Sequence, residues 1–590
     1  MLLLKSCIVL LISVFTFSAF TSSDNPHNNK AAGNELRLLK IAKNSEEVKK
    51  KLSAMTLREK IAQMIVSHSE GLTLDKNSSD YRRIQNLIVN EKIGGLIFFK
   101  GNSIQEAEMI NDFQSQSQIP LLISADFERG TKMRLDDGSL FPSNMGIGAT
   151  RNPDLAYKMG LQIAKECRAI GVHQNYSPVM DVNNNPLNPI INVRSFGENP
   201  ELVTTMGNAM IKGLQDGKTI GTAKHFPGHG DTDIDSHNDL PVINFGKDRL
   251  NNIEILPFKS AVNSGVMSVM IAHLAFPELE KEPFLPASLS KNIVDGILIN
   301  ELGFEGLIVT DALNMQGITK HFSTEEVALK CVNAGIDLIL MPQGEELTIS
   351  TIENAVKSGS ISEERINKSA EKILGAKQWL GLYENKLVDV SKVSQVVNNS
   401  DAQSLSQQIA DESITLVKNN TKTLPFKSTI DKVMIVSMNN GNDKGNSEFF
   451  ANEFYSKSKQ FFGSVTTYDL SGDFNYGDSI INNAVNNNYE TIIIPVYAKV
   501  KIMTGTVGLP QSQLDLINTL VSKGKKVIVI SYGNPYLIQG FPGIDSYICA
   551  YGDSEASIRA SLKAIFGNIN FKGKLPVSIS DEFKFGTGLN

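Results

Sequence analysis

Residues 222–241 read TAKHFPGHGDTDIDSHNDLP. The stretch holds His225, His229, Asp231, Asp233, Asp235 and His237, with Pro227, Gly228 and Gly230 among them. Proline lacks a backbone donor and glycine is a poor helix former, so a regular helix is excluded. Both weaken a central strand as well. Immediately upstream, Ile220–His225 has the character of a short buried strand. A strand therefore ends here and a stiff polar loop begins, carrying titratable side chains. Loops on a rigid scaffold are where catalytic groups concentrate.

Working outward, the same strand-then-polar pattern recurs. Aliphatic or β-branched runs occur at Met64–His68, Gly95–Phe99, Leu121–Asp126, Val172–Val182, Ile220–His225, Val266–His273, Gly306–Asp311 and Ile336–Met341. Helical patterns lie between them at Ile104–Ser117, Asn152–Ile170, Pro200–Asp216, Leu250–Asn263, Ser290–Glu301 and Thr324–Ala334. Continuous apolar strands alternating with helices indicate a parallel sheet covered by helices. Eight such units predict an α/β fold with a closed (β/α)8 TIM barrel. Most of the runs end in a chemically useful residue: His68, Asp126, Asp181, His225, His273, Asp311. In a barrel these ends share the face that carries active sites.

The barrel is predicted to span residues 36–383. A helical stretch over Asn44–Met64 leads into it, with Thr56 and Glu59 placed as a capping box, and a helix at Ser362–Leu380 closes it. Residues 384–403 read as a polar linker. Residues 404–590 read as a second α/β sandwich domain with strands at Val433–Ser437, Thr491–Val496, Val527–Ser531 and Ser546–Ala550. No phosphate-binding glycine loop follows a strand there, and nothing in this half alone points to chemistry.

Bulk composition sets limits. At 590 residues the chain exceeds one ordinary core. Its 41% hydrophobic and 20% charged content is that of a globular protein, and a net charge of −6 without long runs argues against nucleic acid as partner. Lys5, the apolar run Ile8–Phe17 and the small residues after it read as a signal peptide over residues 1–22, too short to span a bilayer comfortably. The protein is thus expected to be exported, to the periplasm or beyond, with no stable membrane insertion. Cys167, Cys331 and Cys549 lie in apolar or helical surroundings and are expected to be buried free thiols.

The 222–241 loop admits three uses: a solvated turn, a metal site, or an acid/base device. His225 and His229 do not share a helical face and no HExxH pattern is present, which weighs against metal. In extended chain Asp235 and His237 project to the same side. A carboxylate beside a histidine raises its pKa and fixes its tautomer, as a general acid near neutral pH requires. Asp311, delivered by the strand GLIVTD, is either a helix cap or a nucleophile. A carboxylate on one side of an anomeric carbon and an acid on the other are what glycoside hydrolysis needs. Asp126, Arg134, Arg194, Lys224 and His225 supply charged groups suited to sugar hydroxyls; for the two arginines a surface or inter-loop salt bridge is the alternative.

KHFPGHGDTDIDSHNDLP resembles the signature of glycoside hydrolase family 3, in its β-N-acetylglucosaminidase branch. MTLREKIAQM, ISADFERG, YSPVMDVN, VRSFGENP, MIAHLAFPEL and GLIVTDALNM resemble further family segments, and KNNTKTLPF and FKGKLPVSI the flanks of its second domain. The resemblance implies Asp311 as nucleophile, His237 as general acid/base with Asp235 as its partner, and Asp126, Arg134, Arg194, Lys224 and His225 as binders of the terminal sugar. It implies no metal or organic cofactor. The sequence departs from the family at Arg129, where a first glycine is usual, and at Thr131, where an arginine is. The expectation is a retaining exo-β-N-acetylglucosaminidase acting on peptidoglycan fragments or chitooligosaccharides. Its rivals are a β-glucosidase or β-xylosidase of the same fold, a glycosyl phosphorylase, and a non-catalytic glycan-binding protein. The second domain is expected to shape the cleft or to support a homodimer.

Overall fold

The computed structural model describes residues 45–71, 75–232, 239–441, 444–459, 461–473, 477–498 and 508–589. The expected signal peptide, and His237 with its partner Asp235, lie outside the described residues. No helix among the described residues is long and apolar enough to cross a membrane.

Eight parallel strands form the first sheet: β1 (Ile65–Ser69), β2 (Gly95–Phe98), β3 (Leu122–Ala125), β4 (Gln174–Asn175), β5 (Ile220–Phe226), β6 (Ser268–Ile271), β7 (Leu307–Thr310) and β8 (Ile339–Leu340). They are ordered β7-β6-β5-β4-β3-β2-β1-β8, and a parallel bridge between Val309 and Leu338 joins the two ends into a ring. The fold is the TIM barrel read from the alternating pattern. Its strands are buried along both faces because side chains fill the inside and helices cover the outside.

Local differences from the expected elements have local causes. The stretch 44–64 is two helices, Glu46–Ala54 and Leu57–Ala62. The capping box of Thr56 and Glu59 forms, and Thr56 must be extended to make it, which breaks the helix there. The run 172–182 pairs as a strand only at Gln174–Asn175, with a single bridge from Val179 to Lys224. Pro178 has no N–H for a ladder. The pattern at 250–263 is likewise split, into Lys247–Asn252 and Leu256–Asn263, with Pro257 in the first turn of the second piece.

A second, six-stranded sheet contains β9 (Thr415–Asn419), β10 (Ile430–Asn439), β11 (Phe462–Ser471), β12 (Thr491–Tyr497), β13 (Lys526–Ser531) and β14 (Ser546–Cys549), in the order β11-β10-β12-β13-β14-β9. All neighbours are parallel except β9, which runs antiparallel to β14. The four expected strands are the central ones. The two others escape sequence reading because they are edges. β11 is largely half-exposed along GSVTTYD and so lacks a continuous apolar run.

The segment joining the two sheets is tied to the barrel. Val388 exchanges two hydrogen bonds with the Asn111 side chain, at 2.8 and 2.9 Å, and Val393 and Val397 are buried in the barrel core. The halves also share packing. Helix α1 (Asn144–Thr150) leaves the barrel rim and places Met145 and Ala149 in the core of the second sheet. Ser578 donates from its backbone to Glu198 at 2.7 Å, and Arg151 donates to the Leu575 carbonyl at 2.7 Å. Cys167, Cys331 and Cys549 are buried free thiols, as expected.

Candidate active site

Where the strands β3, β5 and β7 end, their polar residues converge on one cavity of about 560 Å³. Asp126 follows β3, Lys224 and His225 end β5, and Asp311 follows β7. Arg134 and Arg194 reach the same cavity from short 3-10 turns at Thr131–Met133 and Asn192–Arg194. The six residues given a catalytic or sugar-binding role that lie among the described ones therefore face one space, while His68, Asp181 and His273, also named as strand ends, do not line it.

These groups form a tight charge network. Lys224 Nζ donates to Asp126 Oδ1 and to Glu128 Oε1, both at 2.8 Å. Arg194 grips Glu128 with two N–H groups, at 3.0 and 2.7 Å, and Arg134 approaches the other Asp126 oxygen at 3.3 Å. Burial alone favours the neutral forms, but Arg194 and Lys224 outweigh it at Glu128 and hold that carboxyl well below its usual range. At Lys224 burial likewise pulls down, yet Asp126 and Glu128 push harder and the ammonium is raised. Arg194 thus forms an inter-loop salt bridge, the alternative weighed for it, and does so inside the cavity rather than at the surface.

Beneath this network Asp181, fully buried, accepts the backbone N–H of His225 at 3.2 Å and of His229 at 2.7 Å, and sits 2.7 Å from His225 Nδ1. That contact turns the opposite ring nitrogen of His225 toward Arg194, 3.5 Å away. Asn188 ties the neighbouring loops together, donating to the carbonyls of His229 and Gly230, both at 2.9 Å.

Asp311 is half-buried at the cavity floor. Burial would raise its pKa. The rings of His225 and His273, the N–H of Ala312 at 2.8 Å and Lys224 outweigh that and lower it to about 2. His273 is itself fixed, with Nδ1 2.8 Å from Ser288 Oγ and Nε2 3.1 Å from the Ala312 carbonyl. Asp311 is thus ionised at any ordinary pH, as an attacking carboxylate must be.

The opposite wall belongs to the second domain. Ala498 after β12, Tyr532 and Asn534 after β13, and Tyr551 and Asp553 after β14 line the same space. The carboxyl ends of both sheets thus meet across one cavity.

Residues 56–376 match the family described as Glycosyl hydrolase family 3 N terminal domain, and residues 414–585 match its C-terminal domain. The chain belongs to glycosyl hydrolase family 3. Beta-hexosaminidase A of Pseudoalteromonas piscicida is 32% identical over 385 residues, covering 60% of this family 3 chain and 64% of the relative, so the match spans less than two thirds of that protein. A solved glycoside hydrolase family 3 beta-N-acetylglucosaminidase from Paenibacillus sp. str. FPU-7 is 32% identical with a TM-score of 0.78, covering 89% of this chain and 99% of that one. A solved beta-glucoside phosphorylase is 26% identical with a TM-score of 0.82, covering 91% and 97%.

Three parts of this family 3 site were not singled out from sequence. Glu128 stands two residues after Asp126, the same spacing that drew attention to Asp235 and His237, and that signal applied to it equally. Asp181 was noted only as a strand end. The second-domain wall carried no local motif, because its contribution depends on how two sheets meet.

His229 is also buried here. Desolvation and the neighbouring His225 push its pKa down to about 4. Between that value and the unfolded pKa of 6.5 the unfolded chain binds more protons than the native one, so stability falls as pH drops through this window, by about 3 kcal/mol at its foot. Denaturant titrations at several pH values should show the slope flattened in His229→Gln. An unchanged slope assigns the acid sensitivity to other groups.

Proposed function

We propose that this protein is a retaining exo-β-N-acetylglucosaminidase that releases terminal β-linked N-acetylglucosamine from peptidoglycan fragments or chitooligosaccharides. The observation that carries the reading is Asp311, held ionised on the floor of the cavity whose wall is the Asp126–Lys224–Glu128–Arg194 network. The relatives named above support the substrate class. Asp126, Arg134, Arg194, Lys224 and His225 hold the terminal sugar through its hydroxyls, and Asp126 and Glu128 keep the cations aimed.

Asp311 attacks the anomeric carbon as the glycosidic bond breaks, and His237 gives its proton to the departing oxygen. In the second half His237 takes a proton from water, which displaces Asp311 and restores both groups. Asp235 orients His237 and stabilises its cationic form. Two displacements at one carbon return the β configuration. The expected signal peptide places this activity outside the cytoplasm.

A panel of nitrophenyl glycosides, with the anomer of the released sugar followed by NMR, tests the reading. Release of glucose in preference to N-acetylglucosamine, or of the α anomer first, would sink it. A second reading, phosphorolysis, is favoured by the beta-glucoside phosphorylase likeness, and appearance of a sugar 1-phosphate on adding phosphate distinguishes it.

The acid role of His237 makes its own prediction. His237→Ala should lose about 10²–10⁴-fold on glycosides with poor leaving groups, and far less on dinitrophenyl glycosides, which depart without a proton. An equal loss on both removes His237 as the acid.

A further inference from the structure

Arg129 and Asp553 meet across the domain junction. Both Nη atoms of Arg129 donate to Asp553 Oδ1 at 3.1 Å, and both residues line the cavity. The ion pair is well shielded, with Arg129 at 27% side-chain exposure and Asp553 at 10%. Arg129 stands three residues after Asp126 and next to Glu128, on the loop that holds the proposed sugar-binding carboxylates. Asp553 sits on the loop between β14 and the helix Glu555–Ile565.

The backbone shows why this position accepts a long side chain. Gly130, next along, has φ +112 and a Cβ there would lie 2.2 Å from the Ser139 carbonyl, so only glycine fits. Arg129 has no such constraint, and its side chain is free to leave the barrel and reach the second domain. The Phe141 N–H donates to the Arg129 carbonyl at 2.9 Å and keeps the loop in place. Behind Asp553, the Ser143 hydroxyl is bonded to the Tyr551 carbonyl, which fixes the other side of the junction.

We infer that Arg129 and Asp553 are a positioning pair that fixes the second-domain wall of the cavity against the sugar-binding loop, and so selects which aglycone the enzyme accepts. The aglycone class is a second sugar ring rather than a small aromatic group. A terminal sugar held against the barrel wall has its leaving group directed away from Asp311, and the wall it then meets is made by Tyr532, Asn534 and Asp553. Tyr532 is rigid, with its hydroxyl bonded to Ser561 Oγ at 2.5 Å and its ring stacked 4.9 Å from Tyr497. A rigid wall placed by a cross-domain ion pair can discriminate between aglycones of different size. The inference rests on the glycosidase reading above.

The test is a double-mutant cycle with Arg129→Gly and Asp553→Asn, comparing a β-linked disaccharide with the nitrophenyl glycoside of the same sugar. Each single variant should raise KM for the disaccharide about tenfold, and for the aryl glycoside less than about threefold, while the double variant is no worse than either single one. Equal losses on both substrates would reduce the pair to general structural support, and multiplied losses in the double variant would show the two residues acting separately. Unchanged KM values would remove any role. The ratio is read with whichever sugar the wild type releases, N-acetylglucosamine or glucose. A wild type that releases glucose refutes the proposed function while leaving the pair tested.

Discussion

Asp311→Asn should leave the folded protein intact and all but silent, with kcat/KM lowered on the order of 10⁴-fold or more. The amide keeps the shape of the carboxyl and can still accept the Ala312 N–H now 2.8 Å from Oδ1. Asp311 is half-exposed in the cavity, so no core is disturbed. What is lost is the anion that bonds to the anomeric carbon, and among the described residues the other carboxylates lining the cavity are already paired, Asp553 with Arg129. Asp126 and Glu128 are already held by Lys224, Arg194 and Arg134. Rate measurements on an activated aryl glycoside, alongside a thermal melt, check both halves of the statement. Turnover within about tenfold of wild type would move the nucleophile elsewhere.

Lys224→Met should cost both stability and activity. The ammonium is 3% exposed and bridges two carboxylates at 2.8 Å each. Removing one partner of a buried pair leaves uncompensated charge, which typically destabilises by about 3–5 kcal/mol. Glu128 keeps its two-pronged bond to Arg194, so Asp126 bears most of the change, retaining among the described residues the Arg134 contact at 3.3 Å. The lower part of that range, about 3 kcal/mol, is therefore expected, together with a loss of sugar affinity. Denaturant unfolding reads the first and KM the second. A midpoint shift worth less than about 0.5 kcal/mol would mean that water or relaxation already screens the cluster.

The barrel was legible because its signal is repeated. Each of Ile220–His225, Leu121–Asp126 and Gly306–Asp311 shows an apolar run ending in a polar residue, and the common face follows from the topology alone. Asp126, His225 and Asp311 were legible for the same reason, and Lys224 beside His225; Arg134 and Arg194, which come from 3-10 turns, were drawn in by their charge and by the family resemblance. Elements held by single tertiary contacts were not. β4 is two residues long, and its run looked longer because the chain beyond it stays buried and still bonds to β5 through the Val179–Lys224 bridge and the Met180 N–H, with Pro178 interrupting the ladder between. β11 lies at an edge with its side chains half in water, so no apolar periodicity marks it. Glu128 was in view but read as part of a motif rather than as a charge needing a partner. The contribution of Tyr532, Asn534 and Asp553 depends on contacts more than 400 residues apart in sequence, such as Arg129 with Asp553 at a separation of 424, and no local pattern encodes that.

Met145 and Ala149 belong by sequence to the first half and by packing to the second. Neither half can therefore be trimmed away cleanly. A chain ending before β9 would show these side chains to water on its rim, beside the opening of the cavity, and would tend to stick to itself or to other proteins. Calorimetry of the intact molecule should accordingly give one melting peak rather than two. The back half is a fixture of the enzyme, not a detachable accessory.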